Sequence, residues 1–195
     1  LLGAVAAWLA SAPLRIYLVR GSITENAQGW RRRLFRLLET MAARLCHQTI
    51  CVAPSLLQFA RHEGIVRRDQ GVVMANGMSN GVDNARHSPL RPGVDAQAQA
   101  LSRHLGVDDA PVVGFVGRLC ADKGVDDLAV AWQSIRQHPS NPRLLLVGAW
   151  EAEDPVSSGS RVMLAGDNRA VFAGHVSDVT PYYRLMDVLL FPTRG

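Results

Sequence analysis

Short apolar runs alternate along this sequence with longer segments of helical periodicity, and this alternation is what most limits the fold. The two clearest runs, at 112–117 and 143–148, read VVGFVG and RLLLVG. A strand with one face in water alternates apolar and polar residues, whereas a continuous apolar run is typical of a parallel strand buried on both faces. Since 48% of the residues are hydrophobic, the chain can form the core that such a sheet needs. The sequence therefore predicts an α/β fold with parallel sheets.

The alternation is interrupted at residues 86–93, where the sequence RHSPLRPG has two prolines and no periodicity. Because such a stretch is typical of a linker, we predict two α/β domains, at 1–90 and 91–195. The predicted strands lie at 14–20, 49–52, 71–74, 112–117, 143–148, 171–174 and 187–191. Other expected elements are a buried helix at 1–12, a polar loop at 21–29 and a less regular helical region at 151–168.

A turn with two cations joins the strand at 112–117 to a helix that begins at about Gly124. Arg118 and Lys123 lie in this turn, and Lys123 is the only lysine in a chain whose Lys and Arg residues total 21. Asp122 is a candidate cap for the helix. Cations beside a helix N-terminus at the carboxyl edge of a sheet favour an anionic ligand. Spacing alone leaves two interpretations equally open, a phosphate site and a pair of solvated loop charges.

Several other classes of site lack support in the sequence. Gly114, Gly117 and Gly124 do not have the GxGxxG spacing, and no P-loop sequence occurs. The three cysteines have no metal-ligand spacing, so we predict no metal site and expect reduced thiols in the cytosol. The net charge of +4 favours anionic partners, but no nucleic-acid-binding motif accompanies it. We therefore predict no nucleic-acid partner.

A basic segment with interleaved apolar residues, GWRRRLFRLL at 29–38, begins the first long predicted helix. One interpretation is a peripheral contact with anionic lipid headgroups. The other, which we favour, is an ordinary surface helix whose apolar side faces the core.

Four segments follow one another in the second half: a strand ending in Gly-Arg before Lys-Gly, then LLLVG, AGHVSDV and YYRLMDVLLFP. Over about 110–195 their order closely resembles the C-terminal domain of family 4 glycosyltransferases, which have the GT-B fold. In the first half, GSITENAQG, CVAPSL and NGMSNGVD resemble the later part of the same family's N-terminal domain. The resemblance implies two Rossmann-like domains, both incomplete: the C-terminal part of the N-terminal, acceptor-side domain at 1–90 and the N-terminal part of the C-terminal, donor-binding domain at 91–195.

The resemblance also implies roles for particular residues. Arg118 and Lys123 would bind the donor diphosphate and stabilise its charge as it leaves, so they are the expected catalytic residues. Gly174 and Val176 would lie near the nucleobase. The full set of expected donor-binding residues is Gly117, Arg118, Lys123, Gly174, Val176, Pro192 and Thr193.

The implied activity is retaining transfer of a sugar from a nucleotide sugar, which we take to be UDP-linked, to a glycan or lipid-linked acceptor in bacterial polysaccharide biosynthesis. No tightly bound cofactor is expected, because the nucleotide sugar is the substrate. We expect a cytoplasmic enzyme, with any membrane contact at the inner face of the plasma membrane. A GT-B UDP-sugar epimerase and a non-catalytic nucleotide-binding module are the alternatives.

Two motifs of the family lie outside this sequence. A Glu-x7-Glu pair, whose carboxylates contact the donor sugar and ribose, would follow FPTRG, and a Gly-rich loop would precede Leu1. We therefore expect an internal fragment that is inactive by itself. On the acceptor side, the candidate cleft residues are Glu25 and Arg20, the latter where many members carry His. The loop at 76–83 is a further candidate for the lining of this cleft.

Overall fold

Residues 1–75, 77 and 81–193 are described by the computed structural model, without the side chain of Asn26. The chain divides into two compact units, Leu1–Val82 and Asp83–Gly195. Because the division falls before residue 86, the proline-containing segment predicted as a linker is part of the second unit. The loop at 76–83 lies largely outside the described residues.

The first unit contains a parallel sheet in the order β1-β2-β3. Its hydrophobic core is formed by side chains from strands and helices, including Val19, Ala43, Cys51 and Leu57. The elements of this unit are α1 (Leu2–Leu9), β1 (Ile16–Val19), α2 (Ile23–Asn26), α3 (Gly29–Leu45), β2 (Gln48–Cys51), α4 (Pro54–His62) and β3 (Gly71–Val73).

Two expectations for the first unit are wrong. The helix expected to be buried at 1–12 is α1, which has no buried residue, since it packs against α3 and leaves its other faces in solvent. The expected loop at 21–29 contains α2, whose Ile23 N–H donates to Glu39 Oε1 at 3.0 Å. A helix start that is stabilised by a distant carboxylate has no local sequence signal.

The second unit contains a parallel sheet in the order β6-β5-β4-β7. Its elements are α5 (Val94–Leu105), β4 (Val112–Val116), α6 (Val125–Ile135), β5 (Arg143–Val147), α7 (Ser158–Gly166), β6 (Ala170–Gly174), α8 (Thr180–Leu185) and β7 (Val188–Leu189). The helix predicted from residue 151 begins only at Ser158, where Ser157 accepts a hydrogen bond from the Ser160 N–H and caps α7. Residues 151–157 form a loop instead.

Both faces of the second sheet are covered, as continuous apolar strands require. On one face, Phe115 and Leu146 share a core cluster with Trp132 of α6. On the other face, Leu145 and Val147 share a cluster with side chains of α5 and α8. The predicted α/β class with parallel sheets is thereby confirmed.

Candidate functional site

The carboxyl edge of the second sheet carries three glycines side by side. Parallel strands end at the same edge, which is where ligands bind in open α/β sheets. The Gly117 N–H donates to the Val147 carbonyl at 2.9 Å, and the Gly148 N–H donates to the Gly174 carbonyl at 2.8 Å. A Cβ at Gly148, whose φ is 147°, would overlap the Gly117 carbonyl oxygen. Gly117 and Gly174, both expected donor-binding residues, therefore belong to one edge.

The turn before α6 meets the chain that follows β7. Gly124 has a φ of 71°, and a Cβ there would overlap the Pro192 carbonyl oxygen. Thr193 Oγ1 donates to the Asp122 carbonyl at 3.4 Å. The structure therefore brings Pro192 and Thr193 against the turn that carries Lys123.

Asp122 does not cap α6, contrary to the prediction. The N-cap of α6 is Gly124, and Asp122 Oδ2 lies 2.9 Å from Lys123 Nζ instead. The hydrogen bond from Lys123 lowers the pKa of Asp122. The lone lysine is thus paired with the carboxylate beside it, while 28% of its side chain remains exposed.

Arg118 pairs with a carboxylate that the sequence did not single out. Arg118 Nη1 lies 3.1 Å from Glu151 Oε2, in the loop after β5. This hydrogen bond raises the pKa of Arg118 and lowers the pKa of Glu151. Because Glu151 is 33 residues from Arg118, only the pairing of β4 with β5 brings the two turns together.

The loop between β5 and α7 also holds the backbone of the cationic turn. The Leu119 N–H donates to the Ala149 carbonyl at 2.8 Å, and the Glu151 N–H donates to the Leu119 carbonyl at 3.2 Å. The Asp122 N–H donates to Asp154 Oδ2 at 2.7 Å. Arg118 and Lys123 are therefore displayed from a preorganised backbone, which favours anion binding because little ordering is left for the ligand to impose.

The loop after β6 combines a partly buried apolar residue with an acidic one. Val176 packs against the core cluster that includes α8 side chains. Asp178 Oδ1 accepts a hydrogen bond from the Thr180 N–H at 3.0 Å, at the start of α8. The loop that carries Gly174 and Val176 is therefore fixed by packing in its middle and by a hydrogen bond at its end.

In the first unit, the two acceptor-side candidates flank a buried hydrogen-bond network. Arg20 directly follows β1, Glu25 lies in α2, and both are exposed. Between them, the buried Ser22 and Thr24 hydroxyls donate to Glu39 Oε2 at 2.8 and 2.7 Å. Glu39 of α3 therefore sets the conformation of the segment that carries both candidates. The sequence carries no signal for this role of Glu39, since no local pattern links a mid-helix glutamate to this turn.

Across residues 1–75, 77 and 81–193, no three His, Cys, Asp or Glu side chains are grouped so that they could hold a metal ion. No helix within the same described part of the chain has the length and apolar character to cross a membrane. All three cysteines are free thiols and are buried.

Fold and site together define an α/β protein with parallel sheets and a cationic turn at a carboxyl edge, an arrangement suited to phosphate-bearing ligands. Residues 110–195, which include this turn, match the family model described as group 1 glycosyl transferases.

Three known proteins are similar to this chain over nearly its whole length. CapM of Staphylococcus aureus, a capsular polysaccharide biosynthesis glycosyltransferase, is 28% identical over 193 residues, which are 99% of this chain and 50% of CapM. HepE of Anabaena, solved with UDP-glucose, has a TM-score of 0.71 and 22% identity over 99% of this chain and 50% of HepE. WaaG, a glycosyltransferase involved in lipopolysaccharide biosynthesis, has a TM-score of 0.63 and 16% identity over 93% of this chain and 51% of WaaG.

The chain thus spans about half the length of the curated relative that it matches. The likeness to HepE and WaaG shows the fold, which is that of GT-B glycosyltransferases, and agrees with the predicted fold class. The comparisons do not favour the epimerase or the non-catalytic module.

Proposed function

We propose that this chain forms part of a retaining glycosyltransferase that moves a sugar from a UDP-sugar to a glycan or lipid-linked acceptor. The observation that carries the proposal is the preorganised turn with Arg118 and Lys123, which lies within the segment that matches the glycosyl transferase family model. The structure of HepE with UDP-glucose supports the choice of donor class.

In the proposed reaction, the bond between the anomeric carbon and the phosphate oxygen breaks as the acceptor oxygen bonds to the same face of the sugar. The acceptor proton passes to the leaving phosphate oxygen, so no side-chain nucleophile is required. Arg118 and Lys123 offset the negative charge that develops on the diphosphate. Their carboxylate partners, Glu151 and Asp122, hold both cations at the edge before the donor arrives.

The rest of the proposed donor site surrounds this turn. Gly117 lets the diphosphate approach the backbone, and Pro192 and Thr193, which lie against the turn, lead towards the donor sugar. Gly174 and Val176 receive the nucleobase from the neighbouring strand end. On the acceptor side we propose Arg20 and Glu25.

An acceptor carried on a lipid would bring the enzyme to the inner face of the plasma membrane. CapM and WaaG are named for the biosynthesis of capsular polysaccharide and lipopolysaccharide. In α3, Trp30 and Leu37 are 70% and 57% exposed, and Arg31 lies over the Trp30 ring at 5.9 Å. Exposed apolar side chains beside arginines are typical of a helix that lies in a lipid interface.

The proposal is tested by calorimetry of UDP binding to the wild-type chain and to variants of the turn. Arg118→Ala and Lys123→Ala should each weaken binding about tenfold or more, because each removes a charge-assisted phosphate contact. Arg169→Ala is the matched control, since Arg169 lies at the amino end of β6 and donates to Asn141 Oδ1 at 2.7 Å.

Equal UDP affinity in the wild-type chain and both turn variants would refute the proposed site. The reaction class is tested with the longest expressed form of the protein. A product in which the sugar is joined to an added acceptor supports transfer, whereas isomerised free UDP-sugar supports an epimerase.

A further inference from the structure

An ion pair connects the proline-containing segment at 86–93 to the loop that follows β6. Arg91, in the proline-containing segment at 86–93, donates through Nη2 to Asp178 Oδ2 at 2.5 Å. Its Nη1 donates to the Arg86 carbonyl at 2.9 Å, so the same guanidinium also folds its own segment into a turn. Arg91 therefore joins two stretches of chain that are 87 residues apart.

A second contact joins the same two stretches. Thr180 is 4% exposed, and its Oγ1 lies 3.2 Å from His87 Nδ1. Asp178 also accepts the hydrogen bond from the N–H of Thr180, the first residue of α8. The carboxylate that pairs with Arg91 is therefore also bound to the start of α8. The hydrogen bond from Arg91, followed by the one from the Thr180 N–H, lowers the pKa of Asp178 from its ordinary value to about 2.

The Arg91–Asp178 ion pair lies at the far end of a loop that begins beside the candidate site. Gly174, with a φ of 69°, accepts the hydrogen bond from Gly148 at the sheet edge. Between Gly174 and Thr180 the chain has no regular structure, so its conformation depends on the Val176 packing and on the hydrogen bonds of Asp178. Loss of the Arg91–Asp178 ion pair would leave the loop held by the β6 end, the Val176 packing and the contacts of Thr180, and would free the Asp178 carboxylate from the segment at 86–93.

We infer that Arg91 is a positioning residue for the donor nucleotide: by pairing with Asp178 it holds the loop at 174–180 in the conformation that receives the nucleobase. The inference rests on the proposed function, which assigns the nucleobase to Gly174 and Val176. Arg91 itself lies outside the proposed contacts with the donor.

A neighbouring ion pair offers a matched control. Arg184 Nε of α8 lies 2.8 Å from Asp95 Oδ1 of α5, within the same unit. The side chains of Arg184 and Asp95 are 53% and 69% exposed, whereas those of Arg91 and Asp178 are 27% and 34% exposed. Arg184 of the control pair lies in α8, beyond the loop at 174–180. Loss of the control pair therefore leaves Asp178 bound to Arg91.

The experiment compares two probes that share the diphosphate, of which only UDP carries a nucleoside. Calorimetry measures the affinities of wild-type chain, Arg91→Gln, Arg91→Lys and Arg184→Gln for UDP and for inorganic pyrophosphate. Arg91→Gln should weaken UDP binding about threefold or more, the factor expected when loss of one ion pair depopulates the competent loop. Its affinity for pyrophosphate should stay at the wild-type value, because pyrophosphate needs only the turn with Arg118 and Lys123.

Arg91→Lys should recover part of the UDP affinity, and Arg184→Gln should match the wild type with both probes. Hydrogen exchange should become faster at the 175–180 amides in Arg91→Gln and remain unchanged at 119–122. A parallel loss of UDP and pyrophosphate affinity would indicate a general structural defect and overturn the inference, as would unchanged UDP affinity. If the wild-type chain binds neither probe, the proposed function itself fails.

Discussion

Arg118 and Glu151 form an ion pair across the carboxyl ends of β4 and β5, with Nη1 and Oε2 3.1 Å apart. The pair joins the expected phosphate-binding arginine to a carboxylate from the adjacent turn. Glu151 thus orders Arg118 in the absence of a ligand, and it is also a negative charge that a diphosphate must approach.

Neutralising this carboxylate should strengthen nucleotide binding. Glu151→Gln keeps a hydrogen-bond acceptor near Arg118 but removes a charge that repels the diphosphate, so UDP should bind about threefold more tightly. Calorimetry at low and high salt measures the effect, which should shrink as salt screens the charges. In a chain that also carries Arg118→Ala, Glu151→Gln should change the UDP affinity less than it does in the wild type. Weaker UDP binding in Glu151→Gln alone would mean that the charge of Glu151 chiefly orients Arg118.

A methyl group at Gly148 should destabilise the second unit. Its Cβ would overlap the Gly117 carbonyl oxygen, and its φ of 147° is unfavourable for alanine. We expect Gly148→Ala to lower the free energy of unfolding by about 1–3 kcal/mol, measured by urea denaturation. The control is Gly159→Ala in α7, where no atom outside the adjacent backbone of the helix lies within 4 Å of the new Cβ. That helical substitution should instead raise the free energy of unfolding by up to about 1 kcal/mol.

Low pH should reduce the stability of the second unit, because Asp178 becomes protonated. Its pKa falls from 3.8 to about 2, mainly through the hydrogen bond from Arg91. Because the folded-state pKa is lowered, this contribution to stability is fully present above the unfolded value and is lost as the pH falls through the folded one. Urea midpoints of wild type and Arg91→Gln, compared from about pH 5 to about pH 2, should therefore converge at low pH. A difference that stays constant down to the lowest pH would contradict this.

The start of α3 should bind anionic membranes. Trp30 is 70% exposed, and Arg33 is also exposed on this helix. Trp30→Ala combined with Arg33→Glu should weaken binding to phosphatidylglycerol-containing vesicles about tenfold or more, measured by co-sedimentation. Arg103→Glu, an exposed charge change on α5, should have little effect. Equal binding of all forms, or no preference for anionic over phosphatidylcholine vesicles, would argue for an ordinary surface helix.

The sequence predicted the α/β class and most strands, because strand identity in a buried parallel sheet depends on local apolar runs. The runs at 112–117 and 143–148 correspond to Val112–Val116 and Arg143–Val147. Local sequence patterns did not predict elements that are stabilised by a residue distant in the sequence. Glu39 contributes to the start of α2 from 16 residues away, a distance at which no helix-start motif operates.

The candidate site was only partly predictable for the same reason. Arg118 and Lys123 were identified from a lone lysine, a strand end and a helix start, all of which are local. Glu151, which balances Arg118, was placed instead in a predicted helix.

The sequence by itself determined the alternation of strands and helices and the positions of the two cations, since both follow from short-range pattern. Only the tertiary structure decided that Glu151 pairs with Arg118, which glycines must approach one another, and that Arg91 is bound to Asp178. These relationships depend on strand order and on the packing of α5 with α8. They join residues that are 33 to 87 positions apart in Arg118–Glu151 and Arg91–Asp178, and no local pattern encodes such pairings.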